Sequence, residues 1–226
     1  MKENRLSAFL EKNLSALRQN LPRQSAAQAD FIDRLTQISP AEINRDVLLY
    51  ETDAGDFTLA IPYQASKESD LQELCLHHPG GAQQEARQIC SADQDLLHPG
   101  PRANHLLLGL GLGYLLQEVF ERSEGRIFIY EPNLPLLRFV LENVDLSEYL
   151  ASPRVYLAGD TMLLFQQVRS RYISGEPLDV LLTNGYAVLL ADQIPGLMKK
   201  LLSTTEDQSG NIAVGLRLHK NWVEHP

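Results

Sequence analysis

"HLLLGLGLGYLLQEVFERSEGRIFIYEPN", residues 105–133, is the stretch whose reading decides the fold. A continuous apolar run, HLLL, enters a turn that carries Gly109, Gly111 and Gly113 in GxGxG spacing. A helix-compatible segment over residues 114–122 follows, and a second apolar run, RIFIY, ends on Glu131. Runs that are apolar at every position fit strands covered on both faces, as in a parallel sheet. A glycine turn between such a strand and a helix is the start of a right-handed βαβ unit.

Working outward toward the carboxyl end, the alternation continues. Strand patterns over residues 154–157 and 178–183 interleave with helical patterns over 134–143, 162–172 and 191–202. The predicted fold class is therefore α/β: a Rossmann-like, mostly parallel sheet with helices on both faces. The final stretch, "NIAVGLRLHKNWVEHP", reads as helical, with Ile212, Leu216, Leu218 and Trp222 as its apolar positions. A tryptophan in such a stretch so near Pro226 raises the expectation that a further domain follows.

Working outward toward the amino end, the character changes. Leu6, Phe9, Leu10, Leu14 and Leu17 recur at helical spacing until Pro22, and Phe31, Leu35 and Ile38 do the same before Pro40. "DVLLYETDAGDFTLAIPY", residues 46–63, is two β-type runs around a turn composition, which predicts a small hairpin. "GGAQQEARQICSADQDL" is polar and helix-prone, and "HPGPR" reads as a connector. The expected division is residues 1–100 as helices with a small β element, and residues 101–226 as the Rossmann-like domain.

Composition removes several function classes. The 226 residues hold 29 acidic and 20 basic side chains, a net charge of −9, so a nucleic-acid backbone would be repelled by most of the surface. No apolar run approaches the roughly 20 residues of a membrane span, and "MKENRLSAFLEKNL" is not a secretory leader, so the expected location is the cytoplasm. Cys75 and Cys90 read as ordinary thiols rather than a staple. His77 and His78 are adjacent and point apart in an extended segment, and CxxC and HxxxH are absent, so no metal site is expected.

The glycine turn raises the question of a cofactor. Tyr114 stands where a dinucleotide fingerprint would place its third glycine, and the spacing is instead similar to that of class I S-adenosylmethionine methyltransferases. Glu131, at the end of the second strand, could accept hydrogen bonds from both ribose hydroxyls, and the resemblance to the methyltransferases implies a place near the adenine for Asp160, just past the third strand. Asn184, after the fourth strand, falls at the same carboxyl edge. Candidate residues for a nucleotide or S-adenosylmethionine-like ligand are thus Gly109, Gly111, Gly113, Glu131, Asp160 and Asn184. The alternative reading gives the glycines to the turn alone and the acids to helix capping. No catalytic nucleophile, P-loop or metal-binding carboxylate pair stands out.

Several stretches together resemble the motility-associated-factor (Maf) flagellin glycosyltransferases. They are "LEKNLSALRQNLP", "LHHPGGAQQEARQI", "HLLLGLGLGYLLQEVFE", "IFIYEPNLPLLRFVLENVDLSEYL" and "VYLAGD" in that order, with "YEP" followed by "DLS" as the most specific piece. The resemblance implies the amino-terminal domain of a transferase that places an activated nonulosonic acid on flagellin Ser or Thr. The catalytic domain would follow it, and its partners would be flagellin or that carboxy-terminal domain. No catalytic residue carries over. Two other readings stand beside it: an S-adenosylmethionine-dependent methyltransferase, and an interaction domain with a vestigial nucleotide cleft.

Overall fold

In the computed structural model, which describes residues 3–20, 26–38, 47–64, 70–91, 97–173, 175–206 and 214–217, the apolar runs become the inner strands of a parallel sheet. Two helices come first, α1 (Glu3–Gln19) and α2 (Ala26–Gln37). An antiparallel sheet follows, of β1 (Leu48–Glu51), β2 (Phe57–Tyr63) and β3 (Gln72–Cys75) in that order, and then α3 (Ala82–Ser91). The main sheet contains β4 (Asn104–Leu108), β5 (Arg126–Tyr130), β6 (Val155–Ala158), β7 (Leu178–Leu181) and β8 (Val214–Arg217). Between its strands lie α4 (Tyr114–Arg122), α5 (Leu134–Asn143), α6 (Ser147–Leu150), α7 (Thr161–Arg171), α8 (Asn184–Leu189) and α9 (Ile194–Glu206).

The strand order is β6-β5-β4-β7-β8 and every pairing is parallel. Every residue of β4 and β7 is buried, which is why these strands read as unbroken apolar runs rather than alternating ones. The order reverses between β4 and β7, so the crevice outside their carboxyl ends is where an open α/β sheet binds ligands. The segment 211–226, read from sequence as helical, contains instead the strand β8. Pairing with the open edge of β7 outweighs the weak local preference of a four-residue stretch that includes a glycine.

The amino-terminal helices are built onto this sheet, and one core runs from Leu14 in α1 to Leu201 in α9. Buried amides make the joints. Asn13 of α1 donates to the carbonyls of Leu141 (2.9 Å) and Val144 (2.7 Å) and accepts from the Leu146 amide (2.9 Å), so one side chain serves the end of α5 and the start of α6. Gln28 of α2 donates to the Leu157 carbonyl in β6 at 3.0 Å. The hairpin turn uses Gly55 at φ 82°, and Asp56 beside it accepts from the amides of Ala82 (3.1 Å) and Gln83 (2.8 Å) at the start of α3. Strand β3 was not legible in the sequence; it is short and its residues are at best half-buried, so it lacks a clear period. Cys75 and Cys90 are not joined in a disulfide. Among the described residues no helix is long and apolar enough to cross a membrane, and no group of His, Cys, Asp and Glu could hold a metal ion.

Candidate functional site

The turn after β4 is the centre of the candidate site, and it needs its glycines for two reasons. Gly109, Gly111 and Gly113 all have positive φ, at 98°, 51° and 88°. Each also lies against a side chain from elsewhere in the chain. A Cβ on Gly109 would fall 2.3 Å from the Tyr186 ring, one on Gly111 2.3 Å from His77 Nε2, and one on Gly113 2.7 Å from Leu146. The close approach that a cofactor would need is thus made by the protein's own side chains.

The polar groups of the turn are spent in the same way. The Leu110 amide donates to Glu131 Oε2 at 3.1 Å, the Gly111 amide to the Tyr186 hydroxyl at 3.0 Å, and the Leu112 amide to His77 Nε2 at 3.0 Å. Tyr186 in turn donates its hydroxyl hydrogen to Glu131 Oε2 in a short hydrogen bond, while Glu131 Oε1 accepts from the Asn133 amide at 3.1 Å. Glu131 is 0% exposed. Burial pushes its carboxyl up to about 7, against the pull of hydrogen bonds from Tyr186, Leu110 and Asn133. Burial and the adjacent Glu131 hold the Tyr186 hydroxyl well above the usual tyrosine range. Burial brings His77 down to about 4, so its imidazole is neutral near pH 7 and Nε2 is free to accept from Leu112. Its Nδ1, then carrying the hydrogen, lies 4.0 Å from Glu85 Oε2 and makes no hydrogen bond.

The other candidates lie apart from this cluster. Asp160 caps α7, accepting from the Leu163 amide at 2.8 Å, and pairs with Arg34 of α2 at 2.9 Å. Partial burial works against ionisation there, but the α7 amides and Arg34 hold the carboxyl below its ordinary range. Next to it, a Cβ on Gly159 would fall 2.5 Å from Phe31, so α2 lies across the end of β6 where an adenine would be sought. Asn184 donates its backbone amide to Glu85 at 3.1 Å, and its side-chain nitrogen makes no hydrogen bond. Strand β3 crosses beside it: Gly185 packs on the Cys75 carbonyl, and Thr183 donates to the Leu76 carbonyl at 2.6 Å. The structure brings Gly109, Gly111 and Glu131 together around Tyr186; Gly113 lies on Leu146, and Asp160 and Asn184 serve other contacts. Sequence reasoning missed Tyr186, His77 and Phe31 as the groups filling this edge. For Tyr186 the signal was an aromatic five residues after the buried strand β7, beside a glycine turn.

A second constellation lies at the amino ends of the strands. His105 Nε2 is 2.7 Å from Ser123 Oγ, and His105 Nδ1 is 3.2 Å from Asp179 Oδ2, off the line a hydrogen bond needs. Three features separate this from a nucleophilic triad. Ser123 is only 4% exposed, its Oγ already donates to the His98 carbonyl and accepts from the Gly125 amide, and the neighbouring Glu124 amide is used by Pro99. Asp179 also accepts from the His98 backbone amide at 3.1 Å. The network ties the connector to the sheet.

No family model and no curated protein matches the sequence. Among solved structures, the Maf glycosyltransferase of Magnetospirillum magneticum AMB-1 superposes on 91% of this chain with a TM-score of 0.50 and 18% identity. The chain shares its fold with part of a Maf glycosyltransferase. It spans 36% of the length of that protein. The fibrillarin/Nop5p complex aligns over 74% of this chain and 73% of that one, at 13% identity and a TM-score of 0.36. Aeropyrum pernix fibrillarin with natively bound S-adenosyl-L-methionine aligns over 73% and 84%, at 12% identity and a TM-score of 0.29. A match over 91% of the chain extends beyond the parallel sheet and its helices.

Proposed function

We propose that this chain acts as a non-catalytic, substrate-positioning amino-terminal part of a Maf-type transferase that attaches a nonulosonic acid to flagellin in the cytoplasm. In this reading the chain holds flagellin or a catalytic domain and turns over nothing itself. The observation that carries it is the Rossmann crevice filled by Tyr186 and His77, with the Leu110, Gly111 and Leu112 amides all bonded inside the protein. A glycine turn whose amides are already satisfied gains little by taking up a nucleoside, because every hydrogen bond from those amides to the ligand would break one within the fold. Gly109, Gly111 and Gly113 then accommodate side chains, and Glu131 is an internal acceptor. The likeness to a larger Maf protein supports a role beside other domains.

Calorimetric titration with S-adenosylmethionine and, separately, with an activated nonulosonic acid tests the reading. The expected result is no saturable heat up to millimolar ligand. Micromolar binding of S-adenosylmethionine would favour the methyltransferase reading, and micromolar binding of the sugar donor would make the chain part of the catalytic site. In the host, removal of this segment is expected to abolish flagellin glycosylation; normal glycosylation without it would sink the proposal.

A further inference from the structure

Five of the large apolar side chains most exposed among the described residues belong to the small antiparallel sheet or its border: Leu48 (46%), Leu49 (48%), Tyr50 (41%), Phe57 (45%) and Leu71 (69%). All four residues of β1 are exposed. A strand open on both faces and at its edge is something soluble proteins normally blunt with charge, proline or a covering element.

The pairing shows which backbone groups the edge presents. In β2 the Phe57 amide donates to the Tyr114 hydroxyl and the Leu59 carbonyl accepts from Leu76, so both residues point away from β1. Ala60 and Thr58 therefore exchange hydrogen bonds with Leu48 and Tyr50. By the alternation of the pleat, the amides and carbonyls of Leu49 and Glu51 point outward, and none of them has a partner among the described residues.

Beside that edge lies a groove of about 380 Å³. Its walls include Leu49 and Phe57 from the hairpin and Tyr114, Phe139, Leu146 and Tyr149 from the helical side. Leu49 and Phe57 share one face of the hairpin. A strand laid along β1 would direct alternate side chains to that face, toward the groove. The charge on its hairpin side has one sign, while on the helical wall Asp145 is paired with Lys12. Residues 47–64 and 70–81 hold five acids and no lysine or arginine, and Glu51, Asp53, Asp70 and Glu73 are exposed. A second copy of the chain would bring the same acids edge to edge, which disfavours it as the occupant.

We infer that β1 is a docking edge for an extended polypeptide segment that alternates apolar and basic residues, pairing its backbone with Leu49 and Glu51 and placing one apolar side chain in the Phe57–Tyr149 groove. This goes beyond the accessory role proposed above and does not depend on it.

The probe is a fluorescent, end-capped peptide alternating valine and lysine, titrated into the whole chain by anisotropy. Saturable binding in the micromolar range is expected, weakening with added salt. N-methylation of the valine amides, or glutamate in place of lysine, is expected to weaken it by about tenfold or more, as loss of backbone pairing or of charge complementarity requires. Leu49→Lys and Tyr50→Lys, both at exposed positions, are expected to abolish binding, while Met162→Lys, the same change on exposed α7, leaves it intact. Circular dichroism confirms that each variant is folded. No saturable binding, equal binding of the N-methylated peptide, or equal loss with Met162→Lys would overturn the proposal. So would self-association of the chain alone, in sedimentation velocity, that Leu49→Lys removes, since the occupant would then be a second copy.

Discussion

Tyr186 donates its hydroxyl hydrogen to Glu131 while accepting the Gly111 amide, and so joins the ends of three chain segments inside the crevice of the sheet. The phenol meets both demands at once: a buried carboxylate needs a donor and a buried amide needs an acceptor. Tyr186→Phe keeps the ring on Gly109 and removes both bonds. Unfolding by urea is expected to show a loss of about 2–3 kcal/mol, the scale for a charge-assisted bond plus an orphaned buried amide. A loss below about 0.5 kcal/mol would mean that water replaces the hydroxyl at no cost.

Stability against pH should expose Glu131 and His77 as opposing terms. Glu131 titrates near 7 folded and 4.5 unfolded, so between those values the native state holds more protons and stability falls as pH rises, by about 3 kcal/mol in all. His77 titrates near 4 folded and 6.5 unfolded, so there the unfolded state holds more protons and stability rises with pH by a similar ~3 kcal/mol. Where the windows overlap, from 4.5 to 6.5, the two slopes largely cancel. Glu131→Gln is expected to leave stability rising with pH through that window, and His77→Gln to leave it falling. Urea midpoints measured at intervals across it decide; parallel profiles for wild type and both variants would contradict the assignment.

Gly109→Ala places a methyl group against the Tyr186 ring at a positive φ, and is expected to cost about 2–4 kcal/mol. Combining it with Tyr186→Ala should restore part of that loss relative to Tyr186→Ala alone, because the clash is gone and only the backbone strain remains. Thermal unfolding of the four proteins of the cycle measures the coupling. Strict additivity would show that the ring does not set the glycine requirement.

At the edge of the sheet, Asp160→Ala removes the α7 cap and the Arg34 pair together, with an expected loss of about 1 kcal/mol dominated by the cap. Arg34→Ala removes solvent-exposed ion pairs to Asp160 and Asp30 and should cost under about 0.5 kcal/mol. A larger effect of Arg34→Ala would show that the ion pair, not the cap, holds the junction.

Residues 105–133 by themselves determined the βαβ start, the glycine turn and the buried carboxyl-terminal acid of β5. Local chemistry suffices for these: apolar runs without alternation belong to covered strands, and a GxGxG turn permits backbone that other residues resist. Sequence also left two meanings open for the glycines and for Glu131, because room for a ligand and room for a side chain are written with the same residues. Only the tertiary structure decided that Tyr186, 55 residues beyond Glu131, and His77, 35 residues before Leu112, take that room. The strand β8 was decided in the same way, by an edge of β7 that exists only once the sheet has formed. The physical reason is common to all three. Period and turn composition report what a segment does with its neighbours in the chain, whereas the filling of a crevice depends on which distant surfaces folding brings together.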